Sequence, residues 1–339
     1  MSVQTTKINN RRYLGNKYKL LPFITKIITE HCGNFNSFTD IFAGTGAVAS
    51  AYIDKQLTTN DILFSNYISN IAWFSPQNYD WDKLVSFISY YNDYNSIEEN
   101  YMTQNFTDTY FSHDICSKIG FIREDIEDKK ESKIINNREY AILLTSLLYA
   151  MDRIANTCGH YDAWRRNVDL SSQVLEMRML AAEKNLNINN ICFNTDSNEL
   201  ASTIKSDVVY LDPPYNSRQY CDAYHLVENI ARWEKPEVFG VAKKMDRTSL
   251  KSKYCTQSAP KAFDDLILKL DAKYILVSYN NMQTKGNDRS NARISDEEIL
   301  SSLKKRGDVH VFSEEYKAFT TGKSDRNDNQ ERVFLCKCL

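Results

Sequence analysis

Glycine and proline are scarce, 10 and 6 in 339 residues, which argues against long flexible linkers, and no low-complexity tract or fixed-period repeat is visible. The 8 Cys include no C-x-x-C pair, and with only 5 His the chain offers no familiar His/Cys metal spacing. The cysteines therefore read as reduced thiols of a cytoplasmic protein. The opening M-S-V-Q-T-T-K-I-N-N has no apolar core for a signal peptide, and no run approaches membrane-spanning length. A soluble chain with no membrane partner is expected. Acids are missing from one end: none precedes Glu30, although Lys7, Arg11, Arg12, Lys17, Lys19 and Lys26 do.

What is present is ordinary in bulk. Hydrophobic residues at 42% and charged residues at 25% are globular values, and 339 residues can bury a substantial core. The net charge of −2 predicts no partner, but its distribution is informative. Besides the acid-free start, Lys243, Lys244, Arg247, Lys251 and Lys253 face only Asp246 among acids in their stretch. Such patches can meet phosphate on a mildly acidic chain, and they can also be plain solvated faces.

In chain order, Arg11–Lys17 turns at Gly15-Asn16 and leads to a helix with Leu20, Phe23, Ile24, Ile27 and Ile28 on one face. Phe38–Phe42 is a short strand running into Ala43-Gly44-Thr45-Gly46, after which an Ala/Val-rich helix is expected through Tyr52. Leu57–Asn60 is a second strand ending at Asp61, and the strand–helix–strand spacing requires parallel strands. From about Trp73 to Leu186 strand alternation stops. Trp81, Leu84, Val85 and Ile88 repeat as one helix face, and Tyr140, Leu143, Leu144, Leu147, Leu148, Met151 and Ile154 as another. Between them lie Tyr- and Asn-rich connections and a charged segment, Arg123–Lys133. The tip Arg153–Arg166, with Trp164, Arg165 and Arg166, suits contact with nucleic acid or packing of Trp164 on its own helices. Strands resume at Ile191–Asn194, Val208–Leu211 and Tyr274–Tyr279. Ser295 with Glu298 forms a capping box, and Val309–Phe312 and Arg332–Cys338 close the pattern as two strands. The expected fold is α/β: a Rossmann-like sheet with a closing antiparallel hairpin, residues 1–75 and 187–339, interrupted by a mostly helical insertion, 76–186. Residues 235–260 form a second candidate DNA-contacting loop.

Two stretches carry chemistry. Val208–Tyr215 reads V-V-Y-L-D-P-P-Y, a buried strand stopped by two prolines that lack an N–H and hold their predecessors extended. This fixes Asp212, the Pro213 carbonyl, Pro214 and the Tyr215 ring at a strand's carboxyl end, where open α/β sheets take ligands. An acid, a carbonyl and a flat ring suit an amino group on a flat heterocycle. A plain turn after a core strand would look the same in isolation. The second stretch, Gly44-Thr45-Gly46-Ala47-Val48-Ala49, fits G-x-G-x-x-A, with Asp61 placed as a ribose-binding acid, so a nicotinamide enzyme competes on that motif. Hydride transfer has no use for D-P-P-Y, whereas methyl transfer to an amino group does.

The set Tyr13-x-Gly15-x-Lys17, Asp40-x-Phe42-x-Gly44-x-Gly46, Asp61 and Asp212-Pro213-Pro214-Tyr215, in this order, resembles the Dam-like class α DNA adenine-N6 methyltransferases. The likeness runs the length of the chain, each motif alone being weak. Asn216-Ser217-Arg218-Gln219-Tyr220, with Tyr224-His225 beyond, looks closest to members that accompany type IIS restriction enzymes. The resemblance implies S-adenosyl-L-methionine as cofactor, S-adenosyl-L-homocysteine as product, no metal, duplex DNA as partner, and a restriction endonuclease acting on the same site. It implies that Tyr13 and Lys17 contact the cofactor, Lys17 near its carboxylate. Asp40, Phe42, Gly44 and Gly46 would shape the cofactor loop, Asp61 grip the ribose, and Asp196 lie near the cofactor adenine. The family often has an aromatic after that last acid, and here Ser197 stands there, which weakens the match at Asp196. Asp61 and Asp196 could instead serve turn or capping chemistry. Asp212 and Pro213 would accept hydrogen bonds from the exocyclic amine, an electrostatic effect worth about 3 kcal/mol per group. Candidate phosphate contacts are Arg11, Arg12, Arg165, Arg166, Arg218, Lys243, Lys244 and Lys251. Rival readings are an amino group in RNA or protein as substrate, and a non-enzymatic DNA-binding module.

Overall fold

The computed structural model describes residues 3–11, 13–95, 97–280, 292–315 and 330–339, with backbone alone for Glu315 and Gln330. The chain divides into two compact units. One comprises Met1–Asn16, Leu63–Cys192 and Cys221–Thr248, and the other Lys17–Ile62, Phe193–Tyr220 and Ser249–Leu339. Among the described residues the strands are β1 (Thr5–Thr6), β2 (Ser37–Asp40), β3 (Gln56–Asn60), β4 (Met179–Leu180), β5 (Ile191–Phe193), β6 (Lys205–Leu211), β7 (Asp271–Asn280), β8 (Gly307–Glu315) and β9 (Gln330–Cys338).

The second unit is built on a seven-stranded, mostly parallel sheet, ordered β5-β3-β2-β6-β7-β9-β8. β2 runs parallel to β3 and β6, and β6 parallel to β7, while β9 is antiparallel to both β7 and β8. Alternation along β6 explains its burial on both faces. Val209 and Leu211 join Ile275, Val277 and Phe334 in a core covered by Phe263, Leu266 and Ile267 of the Ala259–Lys269 helix and by Ile299 and Leu303 of the Asp296–Lys304 helix. Val208 and Tyr210 point the other way and are equally buried. The capping box is present: Glu298 N–H donates to Ser295 Oγ (3.2 Å), and Ser295 N–H donates to Glu298 Oε2 (2.8 Å).

One expectation is corrected by the fold. The helix expected from Ala47 to Tyr52 is only a 3-10 turn, Ala49–Tyr52. Tyr52, at the end of this turn, stacks against Phe38 (4.2 Å between centroids). The charged segment from Arg123 is assigned no element by its sequence. It lies in a helix, His113–Glu131, in the other unit.

That other unit is mostly helical, with β1 and β4 as a two-stranded parallel pair. Its central helix, Asn137–Ile154, starts from a capping box in which Asn136 accepts from Arg138 and Glu139 N–H (both 3.0 Å), and Glu139 accepts from Asn136 N–H (2.9 Å). Tyr140, Leu143, Leu144, Leu147, Leu148 and Met151 are buried along it. Arg123 is fully buried, and donates to the carbonyls of Ile230 (2.9 Å) and Ala231 (3.2 Å) at the end of the His225–Arg232 helix. A guanidinium thereby satisfies helix-end carbonyls that would otherwise lack partners. Among the described residues no helix is long and apolar enough to cross a membrane.

Candidate active site

In the sheet unit, the parallel strands β2, β6 and β7 end together: Asp40 is in register with Tyr210, and Leu211 with Val277. β9 runs the opposite way, so its beginning, Glu331 opposite Asn280, lies at the same end. The prolines release Asp212 from the ladder one residue past β6. Lys17 Nζ sits between two carboxylates, 3.0 Å from Asp212 Oδ1 and 3.1 Å from Glu331 Oε1, and 5.9 Å from the centre of the Tyr215 ring. Tyr215 meets Tyr279 edge-on (6.2 Å), and its carbonyl accepts from the Tyr279 hydroxyl (3.2 Å) and from Arg293 N–H (2.8 Å).

The glycine turn beside this cluster needs glycine at two points, because Gly44 and Gly46 have φ of 52° and 80°. Gly46 N–H donates to the Ala43 carbonyl (2.7 Å), and Gly44 N–H to Asp61 Oδ2 (2.9 Å). Phe42 packs edge-on against Tyr254 (5.1 Å).

Acid outnumbers base at this sheet end. Burial, then the nearby charges of Asp212 and Asp61, raise the Asp40 carboxyl well above the usual range. Its Oδ1 is buried and has no hydrogen-bond partner among the described residues. Burial also pushes Asp212 up to about 6, against the pull of Lys17 and with Glu331 adding to the rise. For Lys17, burial works downward, but Asp212 and then Glu331 outweigh it and hold the ammonium well above the ordinary lysine value. Asp212 and Glu331 at Lys17, with Asp61 and the partly unsatisfied carboxyl of Asp40 nearby, fit a cationic ligand such as a sulfonium.

The sequence-derived residues fare differently. Asp40, Phe42, Gly44, Gly46, Asp61, Lys17, Asp212, Pro213, Pro214 and Tyr215 all belong to the sheet unit. Lys17, expected beside a cofactor carboxylate, is engaged by two carboxylates of the protein. Asp61, expected at ribose hydroxyls, gives one oxygen to the Gly44 amide. Asp196 caps the Ser197–Ala201 helix, its Oδ1 accepting from Asn198 N–H (2.8 Å) and Glu199 N–H (3.4 Å). Tyr13 lies in the helical unit, stacked on Tyr224 (4.5 Å, 14°) and accepting from Asn66 Nδ2 (2.8 Å). Arg11, expected at DNA phosphate, is buried with its Nε 3.0 Å from Asp152 and an Nη1 bond to Asn66 (3.1 Å), so it cannot reach outward. Lys244, also expected at phosphate, is neutralised by Asp162 at 2.7 Å. Arg165, Arg166, Arg218 and Lys251 are exposed, and Lys243 is half-buried. Arg12 lies outside the described residues. Residues 235–260 are held by internal contacts such as Arg247 Nε to Asp222 (2.7 Å).

Three contributors escaped the sequence reading. Asn60 donates from Nδ2 to the carbonyls of Ile41 (3.1 Å) and Thr195 (3.2 Å), and Asn194 donates to those of Asp61 (2.7 Å) and Ile62 (3.0 Å). They pin the strand ends that carry the glycine turn and Asp61. Glu331 is the third. Its place is just before the apolar run Val333–Cys336 of the last strand, among the polar neighbours Gln330 and Arg332.

A parallel sheet whose carboxyl ends gather a glycine turn, a D-P-P-Y segment and an excess of carboxylates defines a methyltransferase-type α/β protein. The chain belongs to the D12 class N6 adenine-specific DNA methyltransferases, whose family model matches residues 13–289. It is 36% identical over 311 residues to Modification methylase StsI of Streptococcus sanguinis, covering 86% of this chain and 46% of that protein. It is 31% identical over 345 residues to Type II methyltransferase M.FokI of Planomicrobium okeanokoites, covering 95% of this chain and 52% of that one. Type II methyltransferase M.NlaIII of Neisseria lactamica is 29% identical over 332 residues, 94% of each chain. The chain thus spans about half the length of the StsI and FokI proteins and nearly all of the NlaIII protein. Membership of a methyltransferase family implies S-adenosylmethionine as methyl donor.

Proposed function

We propose that this chain methylates the N6 amino group of a flipped-out adenine at a specific site in duplex DNA, as the modification arm of a restriction-modification system. One observation carries the reading: Asp212 stands just past the end of β6, held by Lys17, with the Pro213 carbonyl next to it and the Tyr215 ring two residues beyond.

S-adenosylmethionine, when bound, supplies an electrophilic methyl on its sulfonium. Asp40, Asp61 and the Gly44–Gly46 turn would hold it, the acids complementing its positive charge, with Asp196 and Tyr13 as further candidates. An ammonium has three donors, so Lys17 keeps one for a ligand carboxylate beyond the two given to Asp212 and Glu331. The adenine amine is a weak nucleophile because its lone pair is delocalised into the ring. The Asp212 carboxylate and the Pro213 carbonyl, which accepts no hydrogen bond from the described residues, would take its two N–H donors and draw the nitrogen toward a tetrahedral geometry. Once methylated, N6 would have to lose a proton. A carboxylate pushed up to about 6 is ionised at neutral pH and basic enough to receive it. Extracting the base costs a few kcal/mol, and stacking on Tyr215 offsets roughly 1–3 kcal/mol of that.

The helical stretch 76–186 is the proposed target-recognition region, with Arg165, Arg166, Lys243, Arg218 and Lys251 as phosphate contacts and residues 235–260 as a second DNA-facing segment. A cytoplasmic endonuclease cutting the same sequence is the proposed partner. Incubation with labelled cofactor and duplex DNA, RNA or total protein in parallel tests the reading. Label in DNA, resolved by modification-sensitive sequencing as N6-methyladenine at one recurrent sequence, is expected. Label confined to RNA or protein would overturn it.

A further inference from the structure

Glu331 is the carboxylate of the sheet-end cluster that the last strand supplies, and its surroundings set it apart. Only 3% of its surface is exposed. Oε1 accepts from Ser278 Oγ (2.9 Å) and lies 3.1 Å from Lys17 Nζ, and Oε2 accepts from Asn280 Nδ2 (3.3 Å). Ser278 and Asn280 are themselves buried. Both oxygens are therefore aimed, and what Oε1 is aimed at is the lysine that holds Asp212. For stability alone one carboxylate would suffice to pair Lys17. A second buried acid adds desolvation cost without completing the architecture.

Two carboxylates sharing one ammonium compete for it. If Glu331 were neutral, Lys17 would turn wholly to Asp212 and occupy lone pairs that an incoming amine needs. We propose that Glu331 is a positioning residue that holds Lys17 midway, so that Asp212 is fixed in orientation while keeping its strength as an acceptor for the target amine. The inference rests on the reading that Asp212 receives an amino group. The groups that face Asp212 and Lys17 are Glu331, Asp40, Tyr210 and Tyr215.

Glu331→Gln keeps the shape and removes the charge. With genomic duplex DNA and labelled cofactor, kcat is expected to fall about 10- to 100-fold with KM for the cofactor changed less than about threefold, the pattern of an interaction realised in the transition state. Because the charge of Glu331 helps raise Asp212, the acidic limb of the kcat profile should move to lower pH. A second readout needs no turnover. Asp212, raised when folded, contributes stability at low pH that is lost as pH rises through about 6, and in cofactor-free thermal melts that loss should also move to lower pH in the variant. Glu331→Asp keeps the charge, and should keep the wild-type limb and lose less than about tenfold in kcat. Wild-type kcat in Glu331→Gln, or lost activity with an unmoved limb and melt profile, would overturn the proposal. If the Gln variant does not fold, Glu331→Asp decides alone, and an inactive or unfolded Asp variant makes Glu331 merely structural. Wild-type protein run alongside separates the two ideas, since absence of methyl transfer to DNA by the wild type removes the functional reading beneath both.

Discussion

Glu228 of the helical unit and Asp212 of the sheet unit are both acids withdrawn from solvent, yet they meet their surroundings in opposite ways. The Glu228 oxygens accept from the N–H groups of Phe64 (2.8 Å) and Ser65 (2.9 Å), at the start of the Phe64–Phe74 helix, and from Arg232 Nε (2.7 Å). A carboxylate at a helix N-terminus with an arginine beside it is satisfied by backbone dipoles and an opposite charge. Arg138 of the same unit is likewise spent on the carbonyls of Gln77 (3.0 Å) and Glu183 (2.6 Å). At the sheet end Asp212 shares its one lysine with Glu331, and Asp40 keeps an orphaned oxygen. Where charge serves architecture it is balanced within the protein. An excess of buried acid at the carboxyl ends of parallel strands suits a ligand of positive charge.

The sharpest way to break this comparison is to remove each acid. Asp212→Ala should cut methyl transfer to DNA about a thousandfold, the upper range for losing one preorganised group, while its urea unfolding midpoint does not fall. An active variant would remove Asp212 from the chemistry. Glu228→Ala should do the reverse. Leaving Arg232 and two helix-end amides unpaired costs about 3–5 kcal/mol of unfolding free energy, with kcat per folded molecule within about twofold. Loss of turnover at unchanged stability would place Glu228 in the reaction instead.

A gentler probe is pH. Because the Asp212 pKa is raised to about 6 in the folded state against 3.8, the folded protein binds its proton more tightly than the unfolded chain. The stability that this contributes below about pH 4 disappears as pH rises through 6. Asp212→Asn should flatten that part of the thermal-stability profile, and an unchanged profile would show that Asp212 is not the titrating group. The smallest effects belong to the surface. Arg165→Ala and Lys251→Ala should each lower the slope of log affinity for DNA against log salt by about one, with only a few-fold loss of affinity. Arg11, buried against Asp152, offers the contrast: Arg11→Ala should leave the salt slope alone and reduce stability.

Much of the sheet was legible because β6 and β7 carry apolar runs and β2 and β6 finish at Asp40 and just before Asp212, and the long helix at 137–154 because its buried face repeats at helical spacing. The helix at 113–131 was not, since Arg123 inside it reads as a surface charge until the helix end it caps is known. Arg11 misled for the same reason. Burial of a cation depends on partners far away in sequence, Asp152 for Arg11 and the 230–231 carbonyls for Arg123. The helix expected after Gly46 is only a 3-10 turn because Ala/Val composition does not separate the two kinds of helix.

What the sequence determined by itself is local: Pro213 and Pro214 end a strand wherever they occur, only glycine accepts the φ of Gly44 and Gly46 without strain, and Ser295 with Glu298 caps a helix through neighbouring atoms. Each follows from covalent geometry and contacts within a few residues. The tertiary structure alone decided which charges meet. Lys17, Asp212 and Glu331 lie far apart along the chain, and they converge because an antiparallel β9 brings its beginning to the end where the parallel strands finish. The closing hairpin is expected from the sequence, but which strand it pairs with, and so which charges its beginning meets, is a property of the assembled sheet.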